Sequence, residues 1–267
     1  MNFFKSQFHG EISDIIHEIK KQAENEFVQQ YVDIPPVPLV RLQVLFLFLL
    51  DSNVTVENIR KYVVPTLLVQ IGLDCHEKVS LTAYRDLNQI RSRQLAVLAG
   101  DFYSSKYYYL LSQIEDIALV RSLADSILTI NEVKTEVYTS LPKLSADQLL
   151  ALLNTIDSEL YLSFLSRYVK EEELKRWKNI MVKFIRVERL TDELFSFRWG
   201  QIVKIQLSKL LEERTIQEAC AWLQGQALEL LDQIAVDVDR VERTLIKEEL
   251  QNMVDAFRQQ LNSQVFG

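Results

Sequence analysis

The acidic residues around position 74 are the first place where this chain could carry out chemistry. Carboxylates at positions i and i+4 of a helix share one face and can hold Mg²⁺ between them. Asp74 has Lys78 at its i+4 position, and a cation there would repel Mg²⁺. Asp74 with Glu77 or His76 is a makeshift alternative, and a solvated helix end is the simpler interpretation.

The acidic pairs later in the chain have the wrong spacing for the same chemistry. Asp192-Glu193 has no acid at i+4. Asp237 and Asp239 are two residues apart, so they do not share a helix face. The histidines are too scattered for a metal cluster, at His9, His17 and His76. With no glycine-rich phosphate loop, zinc-ligand spacing or nucleophile triad either, we predict no catalytic residue and no metal ligand in this chain.

The stretch Leu95–Leu111 is the helix around which we expect the chain to be organised. It is apolar on nearly every side, with Gly100-Asp101 in its middle. A glycine inside a helix costs roughly 1 kcal/mol relative to alanine, and its usual return is the close approach of a neighbouring backbone. Asp101 stands among apolar residues, so we expect it to be held by a partner. Composition favours a central core helix with one structural glycine.

The charge and composition of the chain exclude several classes of function. A net charge of −7 argues against nucleic acid as a partner, because phosphate binding needs a basic surface. The two cysteines, Cys75 and Cys220, form no CxxC and predict reduced thiols in a cytoplasmic protein. The most apolar run, Leu39–Leu50, contains Arg41 and is too short to span a bilayer. We therefore predict a buried helix there and no transmembrane segment.

Apolar residues at helical spacing predict an all-α fold, and six glycines and five prolines in 267 residues suit helices with short connections. We predict a single domain with an N-terminal helix and proline-rich connection over residues 1–38, a helical core over 39–257 and a frayed tail over 258–267. The other predicted helices are Glu11–Tyr31, Val56–Val64, Thr66–Gly72, Ile114–Tyr138, Gln148–Val169 with Ser145 as N-cap, a helix from Glu171–Glu173 to Val187, Leu190–Gln201, Ile202–Leu211, and Ile216–Phe257 with a break near Gly225.

Two segments resemble a known family. The residues VLAGDFYSSKYYYLL resemble the L-x-GD-Y/F-L helix of trans-prenyl diphosphate synthases, which have the all-helical class I isoprenoid synthase fold. The continuation IEDIALVRSLADSILTINEVKTEVY is similar to the small subunits of heterodimeric heptaprenyl diphosphate synthases, called component I. The resemblance is strong across Gly72–Tyr138. Catalytic members of the family hold Mg²⁺ and an allylic diphosphate with two DDxxD motifs, and this sequence has neither.

The resemblance implies a non-catalytic subunit with no prenyl transfer activity and no cofactor of its own. Its partner would be a catalytic subunit of the component II type, which carries both DDxxD motifs and binds Mg²⁺. That partner would condense farnesyl diphosphate with isopentenyl diphosphate, and the complex would share the prenyl diphosphate substrate. The product would be heptaprenyl diphosphate for menaquinone side chains. A helical scaffold or regulator unrelated to prenyl transfer is the alternative.

The resemblance also implies where the partner binds. The corresponding helix of the family packs at the subunit interface, so the candidate interface residues are Leu98, Gly100, Asp101, Tyr103, Tyr107 and Tyr108. Arg91 and Arg93 are candidates for contact with the substrate diphosphate, although the family's Arg-Arg-Gly segment is missing. A surface or interface arginine is the simpler interpretation of both.

Overall fold

Every regular element in the described part of the chain is a helix, which confirms the predicted fold class. The structure is a computed structural model that describes residues 6–30, 32–77, 87–168, 170–198 and 214–263. The helices are α1 (His9–Ala23), α2 (Glu26–Gln29), α3 (Leu39–Asp51), α4 (Val56–Glu77), α5 (Leu87–Gln113), α6 (Ile117–Ser140), α7 (Ala146–Leu162), α8 (Leu165–Tyr168), α9 (Glu171–Arg198), α10 (Ile216–Asp239) and α11 (Thr244–Asn262), with a 3₁₀ turn at Leu141–Lys143. The predicted helix Ile202–Leu211 lies outside the described residues.

The predicted helix Glu11–Tyr31 is wrong in its second half. The chain leaves α1 at Glu24, whose ψ of 119° is extended. Asn25 then begins α2, because its Oδ1 accepts a hydrogen bond from the backbone N–H of Val28 at 3.2 Å. The asparagine side chain gives the backbone N–H a local partner that competes with a continuous helix. The hydrophobic spacing does not show this competition, so it placed the end of the first helix too late.

Helix α4 runs straight through Pro65, where the sequence predicted a boundary between two helices. A proline in a helix interior removes one hydrogen bond and costs roughly 3 kcal/mol. Every residue from Val63 to Leu73 is buried, and this burial outweighs the cost. Pro65 is therefore an internal residue of one long helix.

The predicted final helix is divided at residues 240–243, and Gly225 lies inside α10. The carbonyl oxygens at the end of α10 find new donors: Arg176 Nη1 lies 3.1 Å from the Arg240 oxygen, and Lys247 Nζ lies 3.1 Å from that of Asp239. Side chains at a helix end satisfy such orphan acceptors. Helix α11 extends into the predicted frayed tail because Leu261 is buried.

The chain divides into two compact units, Phe8–Leu123 and Met1–Gln7 with Ala124–Gly267. In the first unit, α4 packs against α1, α3 and α5, and α3 is buried from Val40 to Leu49. In the second unit, α9 packs against α7 and α10, and α10 against α11. The predicted N-cap at Ser145 is confirmed by a capping box with Gln148. The single domain over residues 1–267 stays a prediction.

Candidate functional site

Two glycines mark the place where α4 and α5 cross. A Cβ atom added to Gly72 would lie 3.1 Å from the carbonyl oxygen of Gly100 and 3.2 Å from Ser104 Oγ. One added to Gly100 would overlap the imidazole of His76, at 2.5 Å from its Cε1 atom. The close approach expected at Gly100 is therefore present, and the approaching helix belongs to the same chain.

Asp101 is exposed, with 68% of its side-chain surface accessible, so the apolar residues of this chain do not enclose it. Successive residues of a helix point about 100° apart, so a Gly100 that faces α4 turns Asp101 outward. His76 Nε2 lies 3.6 Å from Asp101 Oδ1. Half-exposed pairs of this kind contribute little to stability, about 0–1 kcal/mol, so Asp101 is not held in place by the core.

The six candidate interface residues divide evenly between two faces of α5. Gly100, Tyr103 and Tyr107 are buried in the first unit. Leu98, Asp101 and Tyr108 are on the exposed side, together with residues that the sequence argument missed: Val97, Ser105, Tyr109 and Ser112. Their spacing of three and four residues was readable from the sequence as one helical stripe, but the apolar character of the opposite face obscured it.

The exposed residues form a continuous surface, called here the α5 outer face: Val97, Leu98, Asp101, Ser105, Tyr108, Tyr109 and Ser112. Leu98 and Tyr109 each expose 61% of their surface, and Tyr108 exposes 50%. The two serine hydroxyls donate to carbonyl oxygens of their own helix, at 2.7 Å in both cases. Both serine hydroxyls are therefore satisfied within α5, one between Asp101 and Tyr108 and the other at the C-terminal end of the surface.

The buried tyrosines of α5, Tyr103 and Tyr107, lie on the opposite side of the helix from the α5 outer face. Tyr103 OH donates a hydrogen bond to the backbone oxygen of Ala23 at 3.3 Å. Burial, with a smaller contribution from Cys75, raises the pKa of Tyr103 to about 12. Burial also raises the pKa of Tyr107, whose ring lies 4.1 Å from that of Tyr108. Both hydroxyls are thus neutral parts of this chain's core.

Arg91 and Arg93 lie in the first half of α5, one exposed and one half-buried. Within the described residues neither guanidinium takes part in an ion pair. Asp74 accepts a hydrogen bond from Gln70 Nε2 at 2.8 Å, and Lys78 lies outside the described residues. No group of three potential metal-ligating side chains occurs in the described ranges.

Three of the later acids, Glu193, Asp237 and Asp239, lie beside a cation. Asp237 lies 2.7 Å from Lys183 Nζ, and Asp239 lies 3.0 Å from Lys247 Nζ. Glu193 is buried beside Arg189, whereas Asp192 is exposed. Within the described residues, none of these carboxylates belongs to a group of three potential metal-ligating side chains.

Among the helices that the structure describes, none is both long enough and apolar enough to cross a bilayer.

Comparison with known sequences identifies close likenesses. A family model described as heptaprenyl diphosphate synthase (HEPPP synthase) subunit 1 matches residues 25–239. Heptaprenyl diphosphate synthase component 1 of Geobacillus stearothermophilus is 30% identical over 192 residues, which make up 72% of this chain and 72% of that protein.

Solved structures resemble this chain over nearly its whole length. Heptaprenyl diphosphate synthase from Staphylococcus aureus matches with a TM-score of 0.71 at 14% identity, over 95% of this chain and 98% of that one. Polyprenyl synthase from Caulobacter crescentus CB15, complexed with calcium and isoprenyl diphosphate, matches with a TM-score of 0.65 at 13% identity, over 94% of each chain. At these identities the likeness establishes the fold.

Proposed function

The chain belongs to the heptaprenyl diphosphate synthase subunit 1 family, and we propose that it acts as the non-catalytic subunit of a heteromeric heptaprenyl diphosphate synthase. One observation carries the proposal: the sequence has no DDxxD motif, yet it keeps the Gly-Asp helix, whose outer face is apolar and exposed. Loss of metal ligands beside a retained, exposed helix surface fits a subunit that works through a partner.

Among the residues that the structure describes, none is arranged to fit the Mg²⁺ that prenyl transfer requires. Mg²⁺ needs several oxygen ligands in near-octahedral geometry. Asp74 is paired with an amide, and His76 is turned towards Gly100 and Asp101. We therefore assign Mg²⁺, both DDxxD motifs and the condensation of farnesyl with isopentenyl diphosphate to a partner of the component II type.

The α5 outer face is the surface that we assign to this partner. Protein interfaces are rich in aromatic residues and poor in charge at their centre, and the outer face carries Tyr108, Tyr109 and Leu98 with Asp101 as its one acid. Of the candidate interface residues, Leu98, Asp101 and Tyr108 would touch the partner. Gly100, Tyr103 and Tyr107 would hold the surface in shape from within the chain.

The finer parts of the proposal follow from the same family membership. The heptaprenyl product would supply menaquinone side chains, and the complex would share the prenyl diphosphate substrate. A cytoplasmic location is supported by the thiols of Cys75 and Cys220, which are buried and form no disulfide.

Co-expression with a DDxxD-bearing synthase encoded beside this chain tests the proposal. We expect the two chains to co-purify, and the complex to convert farnesyl and isopentenyl diphosphates into a heptaprenyl product. Neither chain alone should do so. Turnover by this chain alone, or a partner that makes the same product at the same rate without it, would refute the proposal.

A further inference from the structure

The exposed positions of α5 follow the spacing of a helix that pairs with another helix. Steps of three and four residues alternate along one stripe, which runs through Arg91, Gln94, Leu98, Asp101, Ser105, Tyr108 and Ser112. Such alternation keeps residues on one side of a helix, as in the seam of a coiled coil. All seven side chains are exposed, and Tyr109 lies beside them. The α5 outer face can therefore take a second helix along its length.

The two ends of this stripe carry opposite charge. Arg91 lies near the N-terminal end, and Glu115 follows the C-terminal end of α5; both are exposed. Two such helices running in opposite directions bring a basic end against an acidic end at both extremes. Parallel helices in register would set each charge against its own copy, which is unfavourable. The charges therefore favour an antiparallel second α5.

Ser105 lies at the middle of the stripe, seven residues after Leu98 and seven before Ser112. A small side chain there lets two helix axes approach closely. The hydroxyls of Ser105 and Ser112 donate to carbonyl oxygens of their own helix, both at 2.7 Å. A covering helix would therefore leave neither donor unpaired, so no hydrogen bond is lost on burial.

We propose that a second copy of this chain occupies the α5 outer face when no other partner is bound, with the two helices antiparallel about a two-fold axis at Ser105. Each contact then occurs twice, because the same patch serves both copies. Leu98 packs beside Ser112 of the other copy. Asp101 meets Tyr109, whose phenol donates to the carboxylate. The inference needs only this chain and holds whether or not the proposed synthase partner exists.

The charged ends fit the same register. Arg91 is 14 residues before Ser105, and Glu115 is ten residues after it. With a rise of about 1.5 Å per residue, they lie about 21 Å and about 15 Å from the axis. The long side chain of arginine spans the difference between the two levels. The homodimer would thus hold one pair of Arg91 with Glu115 at each end.

Self-pairing would compete with the heteromeric complex, and this consequence rests on the proposed function. Leu98, Asp101 and Tyr108 cannot contact a second copy and the catalytic subunit at the same time. Chains without a catalytic subunit would be held as homodimers with their apolar surface covered. Binding of the catalytic subunit would then draw the equilibrium away from the homodimer by mass action.

Engineered cysteines in the full chain test the register. Ser105→Cys places two thiols at the axis, where the Cα atoms can come within the roughly 7 Å that a disulfide needs. Ser112→Cys is the matched control, because it is an exposed serine of the same face but lies about 21 Å from its counterpart. Under mild oxidation, Ser105→Cys should form a disulfide-linked dimer and Ser112→Cys should not. Cys75 and Cys220 are buried and should not react.

Analytical ultracentrifugation of the chain alone measures the affinity of the pair. The natural chain should shift from monomer to dimer as its concentration rises. Arg91→Glu should raise the dissociation constant by about tenfold, and the double variant Arg91→Glu with Glu115→Arg should restore it. Lys20→Glu, at an exposed lysine of α1, makes the same change in net charge as Arg91→Glu and should leave the dissociation constant unchanged.

A natural chain that stays monomeric at every concentration would overturn the proposal. Cross-linking of Ser112→Cys as readily as Ser105→Cys, or no recovery in the double variant, would overturn the antiparallel register. These results do not depend on co-expression with a DDxxD-bearing synthase. A homodimer that forms as expected beside a synthase that works without this chain would therefore count against the proposed function alone.

Discussion

The imidazole of His76 covers the α-carbon of Gly100, at the position that a side chain on residue 100 would occupy. This contact belongs to the first unit, so substitutions at Gly100 act first on the chain itself. His76 has 37% of its side-chain surface exposed and can rotate away.

A double-mutant cycle between His76 and Gly100 measures this contact. Gly100→Ala alone should change the free energy of unfolding by less than about 1 kcal/mol, because the gain in helix propensity is offset by the cost of displacing the His76 ring. In a His76→Ala background the same substitution should stabilise the chain by about 1 kcal/mol. Urea denaturation gives both values, and simple additivity would show that the ring does not oppose a side chain at position 100.

Gly72→Ala should destabilise the chain by about 1 kcal/mol, because overpacking against fixed neighbours is costly. The nearest atom to the new Cβ is the Gly100 carbonyl oxygen at 3.1 Å, and a backbone atom cannot rotate away. Gly225→Ala is the matched control, since a Cβ there meets nothing within 4 Å and should stabilise α10 by up to about 1 kcal/mol. Equal effects at the two positions would contradict the close crossing of α4 and α5.

Leu98→Glu and Tyr109→Glu should each weaken binding to the catalytic partner by at least about tenfold, since central apolar anchors dominate interface energies. The stability of the isolated chain should change by less than about 0.5 kcal/mol, because both side chains are exposed. Surface plasmon resonance measures the affinity for the partner. Val236→Glu on α10 is the control, because Val236 is also exposed, at 55%. Unchanged affinity in both variants would show that the α5 outer face is not part of the interface.

Tyr103→Phe should alter the response of the chain to alkali. The folded-state pKa of Tyr103 is raised to about 12, above its value in the unfolded chain. Its contribution to stability is therefore complete below about pH 10 and is lost as the pH rises to about 12. The variant should lose about 1 kcal/mol at neutral pH with the hydrogen bond to Ala23, and its stability should fall less steeply between these two pH values.

Urea denaturation of both chains at intervals from pH 9 to pH 12 measures this slope. Tyr109→Phe, a change at an exposed tyrosine, is the control. Identical slopes in the natural chain and Tyr103→Phe would contradict the assignment.

Local signals in the sequence were enough for most of the fold. The apolar run from Leu39 predicted a fully buried helix, and Ser145 followed by Gln148 predicted a helix start that the structure confirms. Pro65 and Gly225 were misplaced as boundaries because tertiary burial and helix packing outweigh the local cost of each residue. Such compensation comes from other elements and cannot be read from neighbours in the chain.

The candidate site was predictable only in part, because it also depends on contacts with other helices. The sequence predicted a helix around Gly100, and the role of this helix as an interface stays a prediction. Its rotation about the helix axis, which turns Gly100 towards His76 of α4 and leaves Asp101 exposed, depends on another helix. The buried ion pair of Arg189 with Asp157, outside that site, was missed because the two residues are 32 positions apart in the chain. No spacing rule within one helix connects them.

The complete burial of helix α3 makes its amide hydrogens a reporter of how its unit opens. Residues from Val40 to Leu49 are buried without interruption, so no side of this helix can detach while the rest of the unit stays closed. Its amide hydrogens should exchange with deuterium only through complete opening of that unit. The exchange rate of a peptide that covers these residues therefore measures complete opening of the unit. The faster exchange of any single helix end can be compared with that rate.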